Sequence, residues 1–145
     1  MATTVAADPS CTFCRIVAGD LPAHVVLDHD HAFGFLDTRP LFAGHVLLVP
    51  RDHVVALADL PVAEVGPFFE QVQRVATALP AALGATGTFV AANNLVSQSV
   101  PHLHLHVVPR TKGDGLRGFF WPRTKYASDD EAAAMATTIR TALEG

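Results

Sequence analysis

The sequence predicts an α+β domain in which an antiparallel sheet carries its helices on one side. Three observations lead there. Short runs rich in strand formers are separated by turn residues. One long segment has its apolar residues at helical spacing. The element order, helix, hairpin, strand, helix, strand, strand, helix, does not alternate in the way a parallel sheet requires. Cys11 to Ala18 reads as a short helix ended by Gly19-Asp20 and Pro22. His24 to Asp28 and Ala32 to Leu36 read as strands joined through Asp30-His31. Pro40 and Gly44 mark a loop, and His45 to Val49 is a strand closed by Pro50. Asp59 to Leu83 is the long helix, with Val65, Phe68, Phe69, Val72, Val75 and Leu79 on its apolar face and Pro67 disturbing its first turns. Thr88 to Ala92 is a strand leading into an Asn-rich loop. His102 to Val108 is a strand closed by Pro109, and a last helix starts at Ser128 with Glu131 as its capping-box partner.

The 145 residues suit one domain, residues 11–145, after a loose tail over residues 1–10. Half of the chain is apolar, enough for a core without disulfide staples. A formal net charge of −4 argues against a nucleic-acid-binding surface, which needs a basic excess. No apolar run reaches the roughly 20 residues of a membrane span. Met1 to Ser10 lacks the pattern of a secretory signal, so the expected compartment is the cytoplasm.

His102-Leu103-His104-Leu105-His106 is the most informative segment. On a strand the three imidazoles face one way and the leucines the other. Imidazoles are costly to bury without partners. Successive same-face positions are about 6.6 Å apart and the outer two about 13 Å, whereas zinc holds its ligand atoms at about 2.1 Å. One ion therefore cannot take all three, and the histidines must divide their work. Imidazole suits nucleophilic and acid–base chemistry near neutral pH. Just upstream, Asn93, Asn94, Ser97, Gln98 and Ser99 supply amide and hydroxyl donors of the kind that hold a phosphate.

Gln98-Ser99-Val100-Pro101-His102-Leu103-His104-Leu105-His106-Val107-Val108 resembles the signature of the histidine triad superfamily, His-φ-His-φ-His-φ-φ with φ apolar. The resemblance extends from Cys11-Thr12-Phe13-Cys14-Arg15-Ile16 through Asp37 and Gly44-His45-Val46 to Pro109. It implies a five-stranded antiparallel sheet with a long helix and a C-terminal helix, in a homodimer. It implies a hydrolase in which His104 attacks the α-phosphorus of a nucleotide, adenosine being the expected nucleoside. A nucleotidyl-histidine intermediate is then released to water, or to another acceptor in a nucleotidyltransferase. The resemblance gives His106 and His45 the reacting phosphate, the carbonyl of His102 the orientation of His104, Gln98 and Ser99 the phosphate and leaving group, and Asp37 the ribose hydroxyls. Asn93 joins the nucleotide contacts as a member of the donor-rich turn. Ser97 stands where the phosphoramidase branch commonly has glycine.

Cys11-x-x-Cys14 is open to three readings: a redox pair, two inert buried thiols, or half of a zinc site. Zinc-bearing members of the superfamily combine two cysteines with two histidines, and here His53 and His102 would complete a closed structural site. Arg110 to Tyr126 reads either as aromatic packing or as a lid over the substrate. A non-catalytic nucleotide-binding module remains the alternative from another class, and a triad serving metal alone is a third.

Overall fold

The computed structural model describes residues 7–117 and 123–145. Gly118 to Pro122, the centre of the segment read as packing or lid, lies outside the described residues, as does most of the tail. The chain divides into two compact units, residues 1–114 and 115–145.

In the first unit, α1 (Thr12–Val17) precedes a hairpin of β1 (Val25–His29) and β2 (Ala32–Leu36). The register Asp28↔Phe33 and His29↔Ala32 leaves Asp30-His31 as the turn, as the sequence predicts. Then come β3 (Val46–Val49), a short 3-10 turn (Leu57–Asp59), α2 (Val62–Leu83), β4 (Gly87–Ala91) and β5 (Leu105–Arg110). The strands form one antiparallel sheet in the order β1-β2-β3-β5-β4. The last two strands of the sequence thus add next to β3, and β5 sits inside the sheet.

The two faces of the sheet are covered differently. Val46, Leu48, Leu103, Leu105 and Val107 pack with Phe68, Val72, Val75 and Leu79 of α2. Burying a side chain of this size contributes about 1.5–3 kcal/mol of transfer free energy, so α2 is held mainly by this face. Phe33, Phe35, Leu47 and Val49 point the other way and pack with Cys11, Phe13 and Cys14 of the α1 segment. Helices on one side only is therefore corrected: α1 covers the opposite face, because β2 and β3 are apolar on both faces and not in alternation.

Most elements shift from the sequence reading by one residue at an end, and the larger differences are in the long helix and the histidine strand. The long helix starts at Val62, not Asp59, because Pro61 takes the N-cap position and Leu57–Asp59 closes a 3-10 turn of its own. Its end is set by Gly84 at φ 67°, a left-handed cap. The histidine strand does not run from His102 to Val108. Ladder pairing begins at Leu105 and continues through Pro109 to Arg110, with Pro109 opposite Thr88. The Arg110 carbonyl accepts from Thr86 on the β4 side. Alternation then turns the missing N–H of Pro109 toward the β3 side, where pairing has already ended at Val46↔Val107. His102 and Leu103 bond elsewhere, Leu103 N–H donating to the Val54 carbonyl at 2.7 Å.

The second unit contains α3 (Asp129–Glu144). Ser128 caps it as predicted, its hydroxyl accepting from the Glu131 N–H at 3.1 Å, but the Glu131 carboxylate accepts from Ala127 N–H and not from Ser128, so the capping box is only half formed. Among the described residues no helix is long and apolar enough to cross a membrane.

Candidate functional site

The histidines of the triad keep alternate directions although only His106 lies in the ladder. Leu103 and Leu105 enter the α2 core. His102, His104 and His106 stand on the α1 face, where His102 and His104 are buried and His106 is half-buried. His45 precedes β3 and meets His106 across the β3–β5 pair, its Nε2 lying 3.0 Å from His106 Nδ1. Gly44, at φ +95°, makes the turn that delivers His45, and a β-carbon there would collide with Leu83 of α2.

Proton positions follow from fixed backbone groups. The carbonyl of His102 can only accept, and it lies 2.7 Å from His104 Nδ1. Nδ1 of His104 therefore carries the proton, and Nε2 keeps its lone pair in the neutral ring. At His45 the assignment reverses. The Leu41 N–H donates to His45 Nδ1 at 3.1 Å, so the neutral ring carries its proton on Nε2. That proton faces His106 Nδ1 and, at 3.7 Å, a carboxylate oxygen of Asp37. If His45 donates to His106, the proton of neutral His106 stands on Nε2. The three groups form a directed relay: Leu41 N–H, His45, His106.

Burial holds both relay rings neutral. It pushes the His106 imidazole down to about 4, with neighbouring His104 and His45 adding to the effect and Asp37 opposing it. His45 is lowered from its ordinary value by burial, again against Asp37. In the unfolded chain an imidazole titrates near 6.5. As pH falls below about 6.5 the unfolded state takes up a proton that folded His106 refuses until about 4. Stability is thus fully present above pH 6.5 and declines as pH falls toward about 4. Urea midpoints should drop from pH 7 to pH 5, and the drop should shrink in His106→Asn; an equal drop in both proteins would contradict this account.

Two clusters of ligand-type atoms occur among the described residues: Cys11, Cys14, His53 and His102, and Asp37, His45 and His106. Their hydrogen bonds distinguish them. In the first, His102 donates from Nε2 to the Pro50 carbonyl at 3.0 Å, leaving Nδ1 as a lone-pair donor. That Nδ1 lies 3.4 Å from Cys11 Sγ and 3.5 Å from Cys14 Sγ. His53 Nδ1 lies 3.3 Å from Cys14 Sγ, with the Asp8 carboxylate 4.0 Å from its Nε2. Zinc bonds of about 2.3 Å to sulfur and about 2.0 Å to nitrogen at a tetrahedral angle set S and N about 3.5 Å apart. The tetrad has that spacing, and His102 has an outer acceptor, the Pro50 carbonyl, of the kind that orients a metal ligand. Burial favours the neutral thiol of Cys14, pushing it up to about 11; a bound cation would reverse that. The donor set fits zinc. In the second cluster His45 turns an N–H toward His106 and Asp37, where a metal ligand needs a lone pair, so the geometry is that of a relay.

The donor-rich loop is strained and cross-braced. Gln98 uses both ends of its amide, donating to the Val55 carbonyl at 2.6 Å and accepting from Leu95 N–H at 2.9 Å. Asn94 accepts from Leu57 N–H, and Asn93 donates to the Ser97 carbonyl at 3.2 Å. Ser99 is exposed. Asp37 spends one oxygen on Arg39 N–H at 2.9 Å and turns the other toward His45. Ser97 stands at φ 59°, left-handed backbone that disfavours a side chain. Ser97→Gly should raise stability by about 0.5–1 kcal/mol, read as a higher urea midpoint with an unchanged slope; a lower midpoint would show that the serine side chain compensates.

A HIT domain family model matches residues 18–113, about two thirds of the chain. The chain belongs to the HIT family. The assignment covers the sheet, α2 and all the histidines of the relay and triad. This HIT chain is 37% identical to an uncharacterised HIT-like protein of Methanocaldococcus jannaschii, over 72% of this chain and 82% of the relative. It is 29% identical to adenosine 5′-monophosphoramidase hnt1 of Schizosaccharomyces pombe, over 93% and 99%. Among solved structures, a zinc-bound histidine triad family protein from Mycobacterium smegmatis is 38% identical, with a TM-score of 0.70, covering 91% of this chain and 97% of that one.

The His102 carbonyl on His104 follows from the family resemblance, whereas the backbone groups that set the protons of His45 and His102 have no counterpart in the sequence pattern. The Pro50 carbonyl and the Leu41 N–H leave no side-chain signal, and Asp8 lay in what was read as a loose tail.

Proposed function

We propose that this protein is a nucleotidyl hydrolase that cleaves a nucleoside 5′-phosphoryl bond through a covalent intermediate on His104. The observation that carries the reading is the 2.7 Å bond from His104 Nδ1 to the His102 carbonyl, which leaves Nε2 as the one free lone pair of a buried ring. In the first step a bond forms from Nε2 to phosphorus and the bond from phosphorus to the leaving group breaks. His106, whose Nδ1 accepts from His45 so that its own proton stands on Nε2, donates a hydrogen bond to a phosphoryl or leaving-group atom. In the second step water bonds to phosphorus as the bond from phosphorus to Nε2 breaks, the proton that water gives up balances the one taken up by the leaving group, and His104 recovers its lone pair. The relative named as an adenosine 5′-monophosphoramidase favours adenosine and an amine leaving group.

Asp37, with a carboxylate oxygen beside the relay, is assigned to the ribose hydroxyls, and Ser99 to the phosphate. Asn93 and Gln98 hold the loop that presents it. Cys11, Cys14, His53 and His102 are assigned to structural zinc, supported by their spacing and by the zinc-bound mycobacterial relative. A homodimer in the cytoplasm completes the reading. Transfer to an acceptor other than water passes through the same intermediate, so hydrolysis and transfer are separated by assay. Parallel assays on adenosine phosphoramidate, a diadenosine polyphosphate and a sugar nucleotide test the reading. Turnover of the phosphoramidate is expected to be fastest; no turnover of any of them would leave nucleotide binding alone.

A further inference from the structure

Phe13 occupies a position that neither the triad nor the metal tetrad explains. It lies in α1 between Cys11 and Cys14, buried, on the histidine face of the sheet. Its ring stands 5.1 Å from the His104 ring, centroid to centroid, with the planes at 84°. The same ring meets His102 at 6.0 Å and 70°, and is backed by Phe35 at 5.3 Å and 67°. His104 is thus fixed at two points. The His102 carbonyl holds Nδ1, and Phe13 packs nearly perpendicular to the ring. A single hydrogen bond leaves an imidazole free to tilt about it. A flat neighbour at right angles removes that freedom, and perpendicular contact is a favoured arrangement of aromatic rings. Phe13 is itself fixed from both sides. Cys11 caps the first turn of α1, its sulfur accepting from Cys14 N–H, and both sulfurs approach His102 Nδ1.

We propose that Phe13 is a positioning residue for His104, and that the Cys11–Cys14 turn anchors the nucleophile through Phe13 as well as through His102. The proposal rests on His104 being the nucleophile. The tetrad then has a consequence beyond stability: it clamps the turn whose central aromatic sets the angle of attack.

The test uses Phe13→Leu and Phe13→Met in the full chain, two apolar replacements that fill most of the space without a flat ring. Three readouts are needed: steady-state kinetics, metal content, and ring 15N–1H spectra that report the tautomer of His104. Displacing a reacting atom lowers turnover steeply, so kcat should fall by about tenfold with KM within about twofold. Metal content should stay at the wild-type value. The His104 Nδ1–H signal should broaden and weaken as the ring tilts away from the His102 carbonyl. A folded, metal-loaded variant that keeps either the wild-type kcat or the wild-type His104 spectrum overturns the proposal. If His104→Gly also remains active while the Phe13 spectra change, the fault lies with the nucleophile assignment and not with Phe13.

Discussion

Replacing His104 with glycine is expected to lower turnover by about 10⁴-fold or more, because no second group can take over a covalent step. His106 and His45 are near, but His45 faces the relay with an N–H and His106 Nδ1 is occupied by His45. Neither offers the lone pair that the His102 carbonyl leaves on His104. Substrate affinity should change little, since the ribose and phosphate contacts assigned to Asp37 and Ser99 are untouched. Glycine also leaves the buried His102 carbonyl without its donor, which costs about 1–3 kcal/mol of stability. His104→Asn is the control: its amide can still donate to that carbonyl, yet it carries no nucleophilic nitrogen. Both variants should bind nucleotide and neither should turn it over. Activity of the asparagine variant within tenfold of wild type would remove His104 from the chemistry.

Metal removal should have the second-largest effect. A ligand that binds only the folded state stabilises it by about 4 kcal/mol when its concentration is a thousand times its dissociation constant. For a chain of this size that corresponds to a melting temperature lower by about 10 °C. Purified protein should hold about one zinc per chain. Dialysis against a strong chelator should lower the melting temperature, and added zinc should restore it. A Cys14→Ser variant should start low and ignore the chelator. A protein without metal, indifferent to chelator and to added zinc, would return Cys11 and Cys14 to inert buried thiols.

Much of this architecture is legible in the sequence because alternation survives where regular structure does not. Leu103 and Leu105 enter the core and His102, His104 and His106 share the other face, although pairing starts only at Leu105. Strand spacing keeps three imidazoles from sharing one ion, and they are divided accordingly, with His102 among sulfurs and His106 beside His45. The grouping of Cys11, Cys14, His53 and His102 came from family resemblance, since residues 11 and 102 have no local pattern in common. Other features were illegible for physical reasons. Pro109 looks like the end of a strand, and only the early end of β3 lets the ladder pass through it. Pro61 competes with Asp59 as the helix start, and the choice depends on a 3-10 turn stabilised by Asp59 itself. Gln98 looks like a free donor, but its partners are backbone atoms of Val55 and Leu95, which no side-chain pattern reveals. The tautomers of His45 and His102 depend on the Leu41 N–H and the Pro50 carbonyl.

The central claim is that turnover passes through a nucleotidyl group on Nε2 of His104. Rapid mixing of the protein with an adenosine phosphoramidate bearing a good leaving group, followed by a denaturing quench at alkaline pH and mass spectrometry of the peptides, tests it most directly. Alkaline conditions preserve a phosphorus–nitrogen bond that acid would hydrolyse. The account predicts a burst of leaving group approaching one per chain, and one adenylyl group on the peptide containing His104, absent from His104→Asn. An adduct on His45 or His106, or full turnover with no burst and no adduct, would contradict it.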